Sequence, residues 1–532
     1  MLKAGDFTLE VWDIYAQAAA EYQAGNLDAT LELLDVIKRR EPYYRKTYML
    51  EAYVWRDKKN FVREFDALQK ALKLIDAFDP DQKDLATEAV NLLAFACFWL
   101  RLPEEAMRLF VRCAEMSRDD KPYACMKISN AIFMACHVEN FSAADFGALY
   151  SEYKKYLTDV TPYPKKFYNH DRIRIGFVSA ELYGHVVVKW GWSLLTRLDK
   201  SKFAVYCYSA ANESDDITNY LRKVADGWRD LKGFTPAQIA QLIRDDEIDI
   251  LFDFSGHTPN SCLYIAAYRP ATVQVSGVGY MNSTGLDAFD YFLSDVYCAG
   301  DTFAMNKYFT EKIIVLPQTH ICYEPDGQPA IADKPPCRRN GYVTFGSFNN
   351  FTKVTDSILC AWKKILDAVP QSRLLLKTTI FNTDDGKAYI GKQLKNFGID
   401  TARVEMRGFT AGHMPEYNDV DIALDSFPYT GGVTTCDALY MGVPVVSLYG
   451  DRHGTRFGYS ILKNVGLDAL IAADLDEYVE RAVALADDWE LLDILRKNLR
   501  GMMERSPLMD SASYARAVEQ AFATILNAER NT

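Results

Sequence analysis

The sequence predicts an all-α helical-repeat region followed by two consecutive Rossmann-like α/β halves. Three observations carry that prediction. Residues 1–160 place apolar side chains at helical spacing and contain almost no glycine. After "TPYPKKFYNHD" at 161–171, the texture changes to short apolar strands alternating with helical stretches. The same alternation starts again beyond the proline-rich crossing "PDGQPAIADKPPCRRN" at 325–340. The expected segments are 1–165, 170–320 and 340–532.

Composition agrees with that size of assembly. A chain of 532 residues is too long for one ordinary core. Hydrophobic residues make up 49% and charged residues 25%, as in a globular protein. The formal net charge of −12 argues against broad nucleic-acid binding, which needs a basic surface. The eleven cysteines are dispersed, with no CxxC pair and no Cys/His cluster at metal spacing in the sequence. They are expected to be reduced, mostly buried thiols of a cytoplasmic protein. The opening "MLKAGDFTLEVWD" has no apolar leader core. The run "VNLLAFACFWL" at 90–100 is too short to span a bilayer and is expected to be a buried helix.

Within the first region, "AGNLDATLELLDVI" (24–37) and "KKNFVREFDALQKAL" (58–72) superpose at a spacing of 34 residues, Asn26 on Asn60. "RLPEEAMRLFVRCAEM" and "VENFSAADFGALYSEY" repeat the turn-then-helix form at looser spacing. This period resembles tetratricopeptide repeats, which stack into a solenoid with a concave face for peptides or partner proteins. An irregular helical bundle is the alternative.

The two α/β halves place their candidate residues at strand ends, where such sheets bind ligands. In "DIALDSFPYTGGVTTCDALYMGVPVV", a strand ends at Asp425 and a helix opens near Val433 behind Gly431 and Gly432. Free amides and a positive dipole at such a helix start suit a phosphate, and the glycines let it come close. Thr434 and Thr435 add hydroxyl donors, and Asp437 stands where it could accept from a ribose diol. "FGSFNNFTK" puts Asn349, Asn350 and Lys353 in the turn after another strand, a point charge for a leaving diphosphate. His185 follows the first strand, His257 follows "FDFSG", and His413 precedes strand 421–424. Each is a candidate acid/base or sugar contact, or a histidine satisfied by backbone. "GVGYMNSTG" (277–285), which holds Tyr280, could approach a ligand closely or be only a turn. The pair Asp419 and Asp421 does not lie at a strand end, so no metal is expected in the mechanism.

The order of these motifs is more specific than any one of them. Arg269, Pro270, Ala271, Gln274, Gly279, Tyr280 and Gly285 resemble a block of the O-linked N-acetylglucosamine transferase family. "IRIGFVSAELYGH", "FGSFNNFTKVTDSILCAWKKILDAVPQSRLLL" and "DIALDSFPYTGGVTTCDALYMGVPVVSLYGDRHGTRFGYS" are similar to other family segments, in the family's order. The resemblance spans roughly 172–525. It implies a GT-B fold with a tetratricopeptide-like N-terminus. It also implies inverting, metal-independent transfer from a UDP-sugar to protein side chains, with no cofactor. By the same resemblance, Lys353 would meet the diphosphate, and Thr434, Thr435 and the backbone around Cys436 the phosphates. Asp437 would bind the ribose, His413 would lie by the uracil, and His185 would line the sugar and acceptor side. Two departures stand out: Asn350 where the family has glutamine, and Val186 where proline often follows the histidine. The short crossing between halves is similar to the bacterial branch, whose acceptors include Ser/Thr and, in related enzymes, Asn. An inactive repeat-based adaptor and a GT-B enzyme acting on a small molecule are the alternatives. The sugar, the acceptor, the general base and the oligomeric state stay open at the level of sequence.

Overall fold

A computed structural model of the protein describes residues 10–76, 79–300, 302–325 and 327–531. Residues 1–9, most of the stretch read for a leader core, lie outside the described residues.

Among the described residues, the first region is built of eight α-helices: α1 (Val11–Gln23), α2 (Leu27–Arg40), α3 (Arg45–Asp57), α4 (Phe61–Leu74), α5 (Lys83–Trp99), α6 (Pro103–Met116), α7 (Lys121–Ala135) and α8 (Ala143–Lys154). Their turns explain why the repeat is faint in sequence. Asn26 and Asn60 are both N-caps, of α2 and α4, but only Asn60 accepts a helix amide, that of Arg63. The preceding residues, Gly25 and Lys59, have φ of +80° and +57°. Arg101, before α6, repeats this at +64°. The left-handed turn recurs while glycine does not, because packing of the paired helices outweighs the modest strain at Lys59 and Arg101. The apolar run at 90–100 falls in α5, where Val90, Leu92, Ala94, Ala96 and Cys97 are buried between helices.

The first α/β half is a seven-stranded parallel sheet: β1 (Ile173–Ser179), β2 (Phe203–Ser209), β3 (Gly227–Asp230), β4 (Ile250–Asp253), β5 (Val273–Gly277), β6 (Tyr291–Asp295) and β7 (Lys312–Leu316). Their order is β3-β2-β1-β4-β5-β6-β7. The second half is a six-stranded parallel sheet: β8 (Thr344–Ser347), β9 (Arg373–Lys377), β10 (Val404–Arg407), β11 (Ile422–Leu424), β12 (Val445–Leu448) and β13 (Ile471–Ala472). Its order is β10-β9-β8-β11-β12-β13. The strand order reverses beside β1 and beside β8, which opens a crevice at the carboxyl end of each sheet. Central strands such as β4 and β12 are buried throughout, hence their unbroken apolar runs.

Two strands differ from the sequence expectation. "SDDITNYLRKVADGW" reads as helix, but the helix stops at Val224 and Gly227–Asp230 forms edge strand β3. Strand β13 is only two residues long. Both are edge strands with one partner each; β13 is too short for a period to show, and β3, Gly-Trp-Arg-Asp, follows directly on a helix and carries no apolar run.

The closing helix Ser511–Arg530 crosses back to the first half. Phe522 packs on Phe252, Glu529 accepts from the Tyr291 hydroxyl at 2.8 Å, and Glu519 accepts from the Asp199 amide at 2.7 Å. The chain beyond 340 therefore serves both halves. The helical region in turn grips the second half. Arg101 donates to Val354 O at 2.7 Å and to Asp356 at 3.0 Å, and Asn60 and Arg63 both donate to Asp385 at 2.7 Å.

Candidate active site

The glycine turn after β11 is organised by one buried carboxylate. Asp425 accepts from the amides of Ser426 (2.8 Å) and Gly431 (2.6 Å), from Asn349 Nδ2 (3.1 Å) and from Ser447 Oγ (2.6 Å). Gly431 has to be glycine: a Cβ there would overlap Thr435 Oγ1 and crowd Asp425 and Thr434. The helix Val433–Tyr440 opens behind it with Gly432 as N-cap and no side chain satisfying its first turn. The amides of Val433, Thr434 and Thr435 have no partner among the described residues. Cys436 differs: its amide already donates to Gly432 O at 3.1 Å and its thiol is fully buried. The free amides of this helix start are therefore 433–435, and the backbone at Cys436 is already engaged.

Lys353 stands at this turn. It ends a single 3-10 turn, Phe351–Lys353, after β8. Its Nζ donates to Thr430 O at 3.4 Å and lies 3.9 Å from the centre of the Tyr429 ring. Burial pushes its ammonium down to about 8, with Asp425 pulling the other way. The lysine is charged at neutral pH, yet it has neither a carboxylate bonded to it nor full hydration, so an anionic ligand would meet a strong field. Of the two asparagines before it, Asn349 faces the turn, accepting from Thr434 Oγ1 at 2.6 Å. Asn350 spends its side-chain oxygen on the Thr352 amide, at 3.2 Å. Asp437, one turn into the helix, accepts from the Tyr323 hydroxyl at 2.6 Å and pairs with His413 Nε2 at 2.9 Å. The structure thus joins Gly432, Thr434, Thr435, Asp437, His413 and Lys353 in one place.

The first half closes over that place through helix α9 (Val186–Thr196). A Cβ on Gly432 would lie 3.3 Å from the Trp190 ring, so the two halves touch at the glycine turn itself. His185 caps α9: its Nδ1 accepts from the Val187 amide at 3.3 Å. Burial lowers its pKa, so the ring is neutral. With Nδ1 accepting, the proton sits on Nε2, which has no hydrogen-bond partner among the described residues. No contact joins His185 to Lys353 among the described residues.

Two expected contacts are corrected. His257 is fully buried, with Ser129 Oγ at 2.9 Å from Nδ1 and Thr284 O at 2.7 Å from Nε2, so both ring nitrogens are spent inside the protein. Tyr280 is buried beside it, its hydroxyl 3.8 Å from Cys136 of the helical region. The glycines of "GVGYMNSTG" allow close approach, but to protein: Gly279 lies against Phe254 O and Gly285 against the Tyr150 ring. Arg269 and Gln274 of the same block bond Ala288 O, and Gln274 also Ala266 O, which braces the loop. Asp419 and Asp421 are likewise engaged, by Arg407 and by the amides of Thr344 and Cys337.

Several site residues lay outside the sequence expectation. Asp425 had a signal, an acid closing a strand just before a glycine turn. Tyr323, Trp190 and Tyr429 had none, since they arrive from the crossing segment, from α9 and from inside the turn by packing alone.

Two parallel sheets facing one crevice, with an anion-receptive helix start in the second, define a GT-B glycosyltransferase body. The model of glycosyl transferase family 41 matches residues 143–325 and 338–518, and the chain belongs to that family. A probable UDP-N-acetylglucosamine–peptide N-acetylglucosaminyltransferase, SPINDLY of Solanum lycopersicum, is 39% identical over 355 residues, which covers 65% of this chain and 38% of the relative. The UDP-N-acetylglucosamine–peptide N-acetylglucosaminyltransferase of Caenorhabditis elegans is 22% identical over 467 residues, covering 66% and 40%. The chain therefore spans about two fifths of the length of these curated relatives. A solved mutant of the Thermobaculum terrenum O-GlcNAc transferase superposes with a TM-score of 0.84 at 27% identity over 99% of both chains. That likeness includes the helical region.

Proposed function

We propose that this protein transfers a sugar, with inversion, from a UDP-sugar to side chains of an acceptor protein. One observation carries the reading. Three unused helix-start amides and a single half-buried lysine converge on one turn, with a ribose-ready carboxylate one helical turn further on. That set matches a nucleoside diphosphate and its developing charge better than a neutral ligand.

The acceptor oxygen attacks the anomeric carbon as the bond to the diphosphate oxygen breaks. The electron pair leaves with UDP, and the hydroxyl proton passes to solvent or to a base in the cleft. Lys353 and the amides of 433–435 stabilise the charge that grows on the leaving diphosphate. His185 donates from Nε2 to an oxygen on the sugar or acceptor side, a positioning task rather than proton removal. Asp437 exchanges the Tyr323 hydroxyl for a ribose hydroxyl, and His413 holds the uracil edge. Neither His257 nor Tyr280 takes part. No divalent metal is required, because the lysine and the amides supply the positive field. The names of the relatives support N-acetylglucosamine as the sugar and a peptide as acceptor; Ser/Thr is our choice of side chain, with Asn the other. The eleven free thiols support a reducing, cytoplasmic setting, and no helix among the described residues is long and apolar enough to cross a membrane.

The test is intact-mass analysis of candidate acceptors incubated with a panel of UDP- and GDP-sugars without added Mg²⁺ or Mn²⁺. A hexosamine mass increment from the UDP-sugar alone is expected. Transfer only from GDP-sugars would overturn the base assignment. Tight UDP binding with no transfer from any donor would favour an adaptor.

A further inference from the structure

Three buried ligand-type side chains meet where the two halves join. Cys298 comes from the short helix after β6, His320 from the segment after β7, and His453 from the loop after β12. Their ligand atoms all lie within 4.8 Å of one another. All three are essentially without solvent contact.

The hydrogen bonds fix what each ring presents. His453 Nδ1 is 2.9 Å from Met281 O, and a carbonyl only accepts, so Nδ1 carries the proton. His320 Nδ1 is 2.5 Å from Asp295 Oδ2. Asp295 also accepts from the amides of Tyr297, Cys298 and His320 and from Ser460 Oγ, so it is ionised and accepts here too. Both imidazoles therefore hold their protons on Nδ1 and leave an Nε2 lone pair as the possible ligand atom. His453 Nε2 has the Ser294 hydroxyl at 2.8 Å. His320 Nε2, on a residue only 1% exposed, has no hydrogen-bond partner. A bare buried lone pair is costly and calls for an explanation.

We propose that Cys298, His320 and His453 bind a zinc ion that ties the two halves together. A thiolate with two imidazoles is a favoured zinc set, and Ser294 Oγ or a water completes four-coordination. Zinc bonds of about 2.0–2.3 Å require ligand atoms roughly 3.3–3.7 Å apart, so the cluster needs to contract by up to about 1.5 Å. Asp295 supplies the carboxylate behind the histidine that orients such ligands. Binding releases the Cys298 proton, the thiolate replacing its present contact with Arg456 O at 3.4 Å. The ion is structural. None of its ligands contacts Lys353 among the described residues, and it takes no part in sugar transfer.

The experiment is metal analysis of the full chain, purified with its affinity tag removed, dialysed free of metal, then reloaded with Zn²⁺ or Co²⁺. Stoichiometric retained zinc is expected, together with a thiolate-to-cobalt charge-transfer band. Cys298→Ala and His320→Ala should each lose both, and Asp295→Asn should weaken binding at least about tenfold. Wild-type chain without retained zinc and without the cobalt band would overturn the proposal. So would variants that keep wild-type stoichiometry. If a variant fails to fold, the cobalt band of the wild type and the rise of its thermal midpoint on reloading decide the matter alone. None of these readings depends on which sugar, if any, is transferred.

Discussion

The two glycine-rich turns of the α/β halves look alike in sequence and do opposite things. In the first half, Gly277, Gly279 and Gly285 bring the loop against protein: Leu293, the Phe254 carbonyl and the Tyr150 ring. In the second half, Gly431 and Gly432 also make room, for Asp425, Thr435 and Trp190, but the amides just beyond them remain unused. A glycine reports that something comes close. Whether that something is a ligand depends on whether the neighbouring donors are already spent. Tyr150 donates to Ser283 O and Glu311 binds the Thr284 amide, so the first turn is closed; the second is left open toward an anion.

The strongest way to break this comparison is to remove the charge at the open turn. Lys353→Ala should lower kcat about 10²–10³-fold, the loss of roughly 3–4 kcal/mol of charge stabilisation, with the thermal midpoint little changed. Steady-state kinetics beside calorimetry checks it; unchanged turnover would remove the lysine from the mechanism. At the closed turn, Gly285→Ala puts a methyl into the Tyr150 ring at φ +66°. It should cost about 2–4 kcal/mol of stability while the folded protein keeps its affinity for UDP. If UDP binding weakened as much as stability, the first turn would belong to the site after all.

A smaller effect is expected at the ribose. Asp437→Asn keeps the shape but weakens the acceptor, and UDP affinity by titration calorimetry should fall about tenfold, or 1.4 kcal/mol. Uridine should lose as much as UDP, because the contact is to the sugar and not the phosphates. The smallest effect is a pH limb. Lys353 is charged below about 8 and neutral above it, so kcat/KM for the donor should fall as pH rises through about 8. Lys353→Arg, charged throughout, should shift that limb out of range even if its overall rate is lower. A flat profile for the wild type would show that the ammonium titrates elsewhere.

Much of the fold was legible because periodicity is local. The helical pairs, eleven of the thirteen strands among the described residues and the position of the second glycine turn follow from runs and punctuation that a few residues define. The missing strands, β3 and β13, are short edges whose pairing comes from neighbours rather than from their own pattern. Within the site, Lys353, Asp437 and the Gly431–Gly432 pair sit on elements whose ends the sequence marks. His257 and Tyr280 looked equivalent to them, since each also lies near a strand end. The difference is that α7 and α8 of the helical region cover both, and a contact across more than a hundred residues leaves no local trace.

Sequence alone determined the order of the parts: a helical repeat region, then two α/β halves, with an anion-suited helix start in the second. That follows because strands, helices and glycine turns are set by short-range pattern and backbone sterics. Only the tertiary structure decided which donors stay free. Asp425 gathers the turn, Asn349 rather than Asn350 meets Thr434, Tyr323 reaches Asp437, and the helical region fills the other glycine loop. Hydrogen-bonding capacity is consumed by whatever packs nearby, and what packs nearby is a property of the folded chain.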